Sequence, residues 1–253
     1  DKDLIRQAVL EAEKQADMLI ICSGSSAGRE DYTASIVKEL GQLIVHGLAT
    51  RPGKPAILGS INSKPVIGVP GYPVSAQLIF DLFAKPLLYK KMGQQLPEPV
   101  TMECTIARQL PSHAGVDEFV HVNVARISDR TLAYPLNRGA GLTTMLVKSD
   151  GVLHIPRGSE GLQAGDSCLV FSHRQRQVID NSMVCLGSHD MSIDILIDIL
   201  QKDHNIRLVS TNAGSMGGIM ALRRRETHFA GIHLLDGNGD YNTSFLNRSE
   251  EHT

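Results

Sequence analysis

Three loops in the first third of the chain combine glycine, proline and small polar residues with charged side chains, at residues 23–33, 51–55 and 69–76. Each loop adjoins an apolar run, so each is expected at the end of a β-strand. The first loop supplies a carboxylate and the second supplies two cations. Backbone N–H groups of a small-residue loop that opens a helix attract anions, and carboxylate oxygens suit hard cations. The three loops therefore predict a site for a phosphorylated or oxyanionic ligand beside a metal ion.

Each of these loops also has a purely structural explanation. Asp31 is suited to cap the helix that follows it. Arg51 and Lys54 flank a Pro-Gly turn, where charged residues are commonly solvated. Pro73 opens a helical pattern, a position that proline favours in any helix. Taken one at a time, the loops leave the binding and structural explanations open.

The spacing of apolar residues predicts an open α/β sheet, mostly parallel, over residues 1–94. Helical patterns alternate with short apolar runs, and Gly41 ends the second helix. The predicted helices cover about 3–16, 31–41 and 73–89, and the predicted strands cover 18–22, 43–45, 56–60 and 65–69.

The alternation of strands and helices ends at a polar, proline-bearing linker, residues 95–99. Short strand-like runs with frequent turns predict a small β-barrel or sandwich over residues 96–173. Alternation of strands and helices returns in a third segment, residues 178–247. Its predicted strands cover 183–186, 207–210 and 229–234, with helices at 191–203 and up to about 224.

In this third segment, Ser188 and Ser215 each open a helix at a strand end, where a hydroxyl suits an oxyanion. His189 is a further candidate ligand contact. Ordinary helix capping is the slightly favoured explanation of the two serines, and a loop histidine is more often solvated than bound.

Composition narrows the class of protein. The chain has 253 residues, 42% of them hydrophobic, and a formal net charge of −2, which argues against general nucleic-acid binding. No apolar stretch approaches the roughly 20 residues of a membrane span. The four cysteines form no C-x-x-C pattern, which favours reduced thiols and a cytoplasmic protein. The chain lacks an initiating Met, which indicates a fragment, and residues 248–253 are interpreted as an artefactual tail.

The order of three motifs identifies a family resemblance. They are S-G-x-S-x-G-x-x-D-Y at 23–32, H-G-x-A-x-x-P-G-K-P at 46–55 and G-x-P-G-x-P-V-S-A at 68–76. Together with residues 138–144 and 150–156, they resemble the MoeA and gephyrin E-domain family. The third segment resembles a periplasmic-binding-protein-like domain sometimes fused to MoeA, on the residues 187–190, 213–218 and 230–236.

The resemblance implies a MoaB/Mog-like pterin-binding α/β domain that lacks the family's N-terminal subdomains, followed by the MoeA C-terminal barrel. It implies a molybdopterin molybdenumtransferase, an enzyme of molybdenum cofactor biosynthesis. Such an enzyme inserts molybdate into adenylylated molybdopterin, with a divalent cation such as Mg²⁺, and releases AMP. The expected partners are these small molecules, without nucleic acid or membrane, and the full-length protein is expected to be a homodimer.

The resemblance also assigns site residues. Asp31 and Lys54 are the expected catalytic residues, and Asp31 is the expected metal ligand. The expected contacts to pterin, phosphate and molybdate are Gly24, Ser25, Ser26, Gly28, Arg51, Gly53, Pro70, Gly71, Pro73, Ser75, His121, Thr143 and Thr144. His121 stands where the family often has an arginine, and a histidine is only partly protonated at pH 7, so whether it replaces that arginine stays open.

Two other functions remain open at this point. The chain could be an inactive or regulatory protein that senses an oxyanion such as molybdate or tungstate. It could also be a molybdopterin adenylyltransferase, which shares the α/β domain. The predicted barrel argues against the adenylyltransferase, because that single-domain relative lacks one.

Overall fold

The computed structural model describes residues 1–23, 32–139 and 143–250, with the side chains of 23 and 247–250 left out. The first part of the chain forms α1 (Lys2–Gln15), β1 (Leu19–Ser23), α2 (Thr33–Leu40), β2 (Gln42–His46), β3 (Thr50–Arg51), β4 (Ile57–Ile61), β5 (Lys64–Pro70), α3 (Pro73–Ile79) and α4 (Lys85–Lys91). Gly41 follows α2 as its C-terminal cap, as the sequence predicts. The predicted N-terminal cap of this helix, Asp31, lies outside the described residues.

Four of these strands form a sheet in the order β1-β5-β4-β2. Only β1 and β5 are parallel, whereas β5–β4 and β4–β2 are antiparallel. The α/β class is confirmed, but the described strands do not form the mostly parallel sheet expected from the sequence. The reason is the turn between β4 and β5, where Asn62 and Ser63 have φ values of 47° and 63°. A two-residue turn with two positive φ angles joins antiparallel neighbours and is too short for a parallel crossover.

The helical segment predicted at 73–89 extends from Pro73 to Lys91. A π-helical turn, Phe80–Ala84, interrupts it between α3 and α4. Pro86 lies two residues after the end of this turn and has no N–H group to donate back along the helix. We attribute the wider turn to this missing hydrogen bond.

The second part of the chain forms a closed barrel. Its elements are β6 (Val100–Ile106), β7 (Leu110–Pro111), β8 (Asp117–Ile127), β9 (Arg130–Pro135), α5 (Thr143–Lys148), β10 (Gly151–Ile155), β11 (Gly161–Leu162) and β12 (Ser167–Ser172). Five strands close in the order β10-β12-β6-β9-β8, because β8 also pairs with β10. The predicted barrel is therefore confirmed, and β7 and β11 form a small ribbon beside it.

One strand of the first part belongs to the barrel sheet. The two-residue strand β3 pairs in parallel with β8, with Thr50 opposite Asp117 and Arg51 opposite Glu118. The backbone N–H of Asp117 also donates to the carbonyl of Ala49, at 2.8 Å. This pairing attaches the second of the three sequence loops directly to the barrel.

The third segment contains α6 (Arg176–Asp180), β13 (Ser182–Gly187), α7 (Met191–His204), β14 (Arg207–Asn212), α8 (Gly214–Arg223) and α9 (Thr243–Glu250). β13 and β14 are parallel, as predicted. The prediction of a strand at 229–234 is wrong. Within this segment only Phe229 forms a β-bridge, which pairs it with Cys185. Backbone hydrogen bonds still join β13 to this segment, such as that from the N–H of Ser188 to the carbonyl of Gly231 at 2.7 Å. The N–H groups of Val184 and Leu186 also donate to side chains, His228 Nδ1 and Thr227 Oγ1.

The third segment packs on the outside of the barrel through a shared apolar core. Ala125 and Tyr134 of the barrel lie in one buried cluster with Val184, Val209 and Ala221. The Tyr134 hydroxyl also donates to the backbone carbonyl of Glu226, at 2.7 Å. The two parts of the chain therefore share buried surface rather than a linker alone.

None of the described helices combines the length and apolar character that crossing a membrane requires. All four cysteines are free thiols, with Cys104 and Cys185 buried and Cys22 exposed. Burial raises the pKa of Cys104 to about 12, so this thiol stays protonated and unreactive.

Candidate functional site

A cavity of about 590 Å³ lies between the α/β part and the barrel. The α/β part contributes the loop 51–55 and the residues around 70–75, and the barrel contributes the first half of β8 and the segment after β9. Because β1 and β5 are parallel and Ser23 lies opposite Pro70, the first sequence loop leaves the sheet at this same edge. The sequence prediction of one shared edge therefore agrees with the described strands.

The loop 51–55 is shaped by a glycine at a position where any other side chain would be strained. Gly53 has a φ of 94°, and a Cβ atom added there would lie 2.9 Å from Ile79 Cδ1. The loop therefore packs tightly on α3 and presents Arg51 and Lys54 to the cavity. Lys54 is exposed, and within the described residues its ammonium group has no ion-pair partner, so it is free to meet an anion.

Opposite this loop lies a buried carboxylate that the sequence analysis missed. The side chain of Glu118 is 2% exposed and pairs with Arg138 Nη1 at 2.9 Å and with Arg51 Nε at 3.9 Å. The Ser112 hydroxyl donates to its other oxygen at 2.7 Å. A buried carboxylate needs such partners to offset its lost hydration.

Arg51 has a second partner in His113, whose Nδ1 lies 2.9 Å from Arg51 Nη1. A guanidinium group only donates hydrogen bonds, so His113 Nδ1 must be the acceptor. Arg51 is the cation of the pair.

His121, a predicted site residue, lies in the cavity wall on β8. Burial lowers the pKa of His121 below its usual value, and nearby His173 lowers it further. Its Nδ1 atom lies 3.0 Å from the Ser149 hydroxyl. The lowered pKa favours the uncharged imidazole at neutral pH.

The other predicted residues fall into three groups. Pro70, Gly71 and Ser75 line the cavity together with Arg51, Gly53, Lys54 and His121. Pro73 begins α3 and lies outside the cavity lining, as do the exposed Thr143 and Thr144 at the start of α5. Gly24, Ser25, Ser26, Gly28 and Asp31 lie outside the described residues.

The described residues do not build a metal site by themselves. Among them, no three histidine, cysteine, aspartate or glutamate side chains come together as metal ligands. Glu118, the carboxylate of the described cavity lining, is already occupied by Ser112 and Arg138. The predicted Mg²⁺ site therefore rests on Asp31 alone.

In the third segment the structure brings the two predicted serines together. The hydroxyl oxygens of Ser188 and Ser215 are 2.6 Å apart, and Ser215 Oγ accepts from the N–H of His233 at 2.9 Å. His189 lies apart from them in solvent, with Nε2 3.6 Å from Asp194 Oδ2. The contact joins the loop after β13 to the first turn of α8, and a ligand site there stays a prediction.

Sequence reasoning missed Glu118, Arg138 and His113, although all three line the cavity. Glu118 occupies a strand position within an apolar alternation, and a charged residue there must find buried partners. That signal could have identified it. Arg138 was noticed only as part of a motif, and nothing in the sequence places His113 near Arg51.

The described structure is an α/β domain followed by a closed β-barrel, with a cation-lined cavity between them. Three family models agree with this arrangement. The probable molybdopterin binding domain matches residues 1–90, and the MoeA C-terminal region, domain IV, matches residues 103–172. A model of the PBP superfamily domain matches residues 198–253.

Individual relatives cover the same two parts. A protein of Methanocaldococcus jannaschii named for molybdopterin biosynthesis is 36% identical over 166 residues, which is 66% of this chain and 39% of the relative. The molybdopterin molybdenumtransferase of Bacillus subtilis is 27% identical over 171 residues, covering 66% of this chain and 40% of the relative. The chain thus spans about two fifths of the length of these curated relatives.

A solved structure is similar to this chain over a comparable length. The molybdopterin biosynthesis MoeA protein from Pyrococcus horikoshii superposes with a TM-score of 0.57 at 32% identity, over 69% of this chain and 42% of that chain. The two domains of this chain, in this order, are thus similar to those of MoeA proteins.

Proposed function

We propose that the protein inserts molybdate into adenylylated molybdopterin, with release of AMP, at the cavity between the α/β part and the barrel. The observation that carries the proposal is the cation-lined cavity, to which Arg51 and Lys54 contribute from one loop. Relatives named molybdopterin molybdenumtransferase match the same two thirds of the chain. Molybdate is a dianion, so its binding requires concentrated positive charge.

In this proposal Lys54 is the residue closest to the chemistry on the described side of the cavity. Its ammonium group is free of ion pairs with described residues and extends from a loop that Gly53 fixes on α3. A cation held in this way stabilises negative charge that develops on an oxyanion or on the departing AMP phosphate. Arg51, partly engaged by Glu118 and His113, would bind and orient the anion.

The neutral His121 would take part as a hydrogen-bond partner. Because burial lowers its pKa, it presents an uncharged imidazole at the cavity wall. The divalent cation, its ligand Asp31, the homodimer and the cytoplasmic location stay predictions from the family resemblance. No step above depends on them.

The test is AMP release by the purified protein from adenylylated molybdopterin in the presence of molybdate. Lys54→Ala is expected to lower the rate roughly 100-fold, the usual effect of losing one donor to a developing oxyanion. Lys90→Ala is the matched control, since Lys90 is exposed at the end of α4 and outside the cavity. Turnover of Lys54→Ala equal to that of Lys90→Ala would contradict the site.

The same assay separates the proposed function from a binding protein. A protein that only senses molybdate would bind the anion, and lose binding in Lys54→Ala, without releasing AMP. Calorimetry with molybdate and the AMP assay on the same preparations distinguish the two.

A further inference from the structure

Arg138 is the one barrel arginine whose guanidinium group is both anchored and directed along the wall of the cavity, within the described residues. Its Nη1 lies 2.9 Å from Glu118 Oε1, and its Nη2 donates to the carbonyl of Pro111 at 2.6 Å. These two contacts use two of the five N–H donors that a guanidinium group carries. The side chain is 30% exposed, so the remaining donors can reach a ligand.

Glu118 gives Arg138 a fixed orientation. It sits on β8, its side chain is 2% exposed, and its second oxygen is held by the Ser112 hydroxyl. A carboxylate fixed in this way restricts the arginine that pairs with it, so little conformational entropy is lost when the arginine binds an anion. The same carboxylate also lies opposite Arg51 in the pairing of β3 with β8, and thus aligns a cation from each side of the cavity.

His121, which stands where the family often has an arginine, is poorly suited to act as a cation. Its ring lies in a half-buried position and its Nδ1 is turned to Ser149 at 3.0 Å. Burial and the neighbouring His173 lower the pKa of His121, which keeps it neutral at physiological pH. A neutral ring can orient an oxyanion only through one N–H, whereas a guanidinium group offers paired donors and full charge.

We propose that Arg138, oriented by the buried carboxylate of Glu118, is the cation through which the barrel binds the oxyanion of the substrate, in place of His121. The inference rests on the proposed function, because it names a further binding residue of the same cavity. In this arrangement Glu118 is a positioning residue: it touches Arg138 and Arg51 but not the substrate.

The alternative is that Arg138 only neutralises Glu118. The two roles predict different results when both charges are removed. A purely neutralising arginine becomes dispensable once Glu118 is replaced by its uncharged isostere, while a binding arginine does not. The double variant Arg138→Gln/Glu118→Gln also avoids leaving a lone buried charge, so it keeps the test valid if Arg138→Gln alone fails to fold.

The experiment is calorimetric titration of the protein with molybdate alone at pH 7.5. Arg138→Gln and the double variant are each expected to weaken molybdate binding by about tenfold or more, the usual loss for one charge-assisted contact. Arg157→Gln is the matched control, because Arg157 pairs with Asp117 on the same strand but lies outside the cavity. Its affinity is expected within about twofold of the wild type, the scatter of independent surface changes.

Three outcomes would overturn the inference. If the double variant binds molybdate as tightly as Arg157→Gln, Arg138 is a neutralising group only and the proposed function stands. If His121→Gln loses more affinity than Arg138→Gln, the barrel's binding residue is His121 after all. If the wild-type protein binds no molybdate, the proposed function fails together with the inference.

Positioning by Glu118 has its own signature. The ¹⁵Nε–¹H group of Arg138 should be ordered in the wild type, and this order should fall in Glu118→Gln but not in Asp117→Asn. Equal order in both variants would contradict the positioning role, whatever the molybdate titration shows.

Discussion

The barrel contains two buried carboxylates that each hold two arginines, and their surroundings differ. Glu118 faces the cavity, and its partners Arg51 and Arg138 have side chains 52% and 30% exposed. Asp150 is fully buried at the junction with the third segment, where Arg174 Nε and Arg207 Nη2 lie 2.6 Å and 2.8 Å from its Oδ1. A carboxylate paired with two arginines therefore occurs once at the wall of the cavity and once in the interior of the protein.

The difference lies in what the arginines can still do. Within the described residues, the arginines around Glu118 keep N–H donors that no other group occupies, so the ion pair orients each guanidinium group and leaves donors for a ligand. Arg207 is directed inward, with further contacts to Asn123 Oδ1 at 3.2 Å and to the carbonyl of Lys148 at 3.3 Å. Burial raises the pKa of Asp150, which shows that desolvation there exceeds the help from its partners. We infer that the Asp150 cluster joins two parts of the chain, and that the Glu118 cluster arranges a site.

The largest expected effect comes from breaking the Asp150 cluster. Asp150→Asn leaves Arg174 and Arg207 without a counter-charge and is expected to lower the free energy of unfolding by roughly 3 kcal/mol. Urea unfolding followed by circular dichroism measures the change. Asp129→Asn, at an exposed turn of the barrel, is the control. A loss no larger than that of the control would remove the structural role assigned to the cluster.

A smaller loss of stability is expected at the cavity. Glu118→Gln keeps the side-chain shape, and its two arginines can turn to water, so the cost is about 1–2 kcal/mol. The same unfolding experiment measures it. If Glu118→Gln destabilised the protein more than Asp150→Asn, the distinction between a site cluster and a structural cluster would be wrong.

The junction with the third segment can be tested a second way. Tyr134→Phe removes the hydroxyl that donates to the Glu226 carbonyl at 2.7 Å while keeping the packed ring. A loss of about 1 kcal/mol is expected, the usual value of one buried hydrogen bond. The change should appear in thermal unfolding and leave molybdate affinity unaltered. Altered affinity would show that the junction and the cavity are coupled.

The smallest expected effect is the dependence of the free energy of unfolding on pH that His121 causes. The pKa of His121 is lower in the folded protein than in the unfolded chain, so on acidification the unfolded chain binds its proton first. The contribution of His121 to stability is therefore present above its unfolded pKa of about 6.5 and is lost as the pH falls through the folded pKa. His121→Gln should lose less stability than the wild type between about pH 7 and pH 5, by unfolding titrations. His204→Gln, at an exposed position, should follow the wild type.

Much of the fold follows from local patterns. The apolar runs and helical spacing of residues 1–16 and 183–203 predict elements that the structure reproduces within a residue or two. Strand direction is harder, because it depends on the turn. Asn62 and Ser63 make an antiparallel hairpin of two runs that alternation with helices had assigned to a mostly parallel sheet.

Some residues of the site are likewise predictable from the sequence and others are not. Arg51, Lys54 and Pro70 are predictable because glycine and proline mark their loops. Glu118 and Arg138 are not, because their importance comes from a contact between β8 and the segment after β9. The neutrality of His121 depends on burial, which no short motif records.

The pairing of β3 with β8 has a practical consequence for dividing this protein. A cut in the linker at residues 95–99 separates the domains in sequence but not in space, because a strand of the first part completes the sheet of the second. An isolated barrel would carry an open strand edge at Asp117 and Glu118, where another chain could add a strand. Expression of the two parts as separate polypeptides should therefore favour their reassembly over two independent monomers.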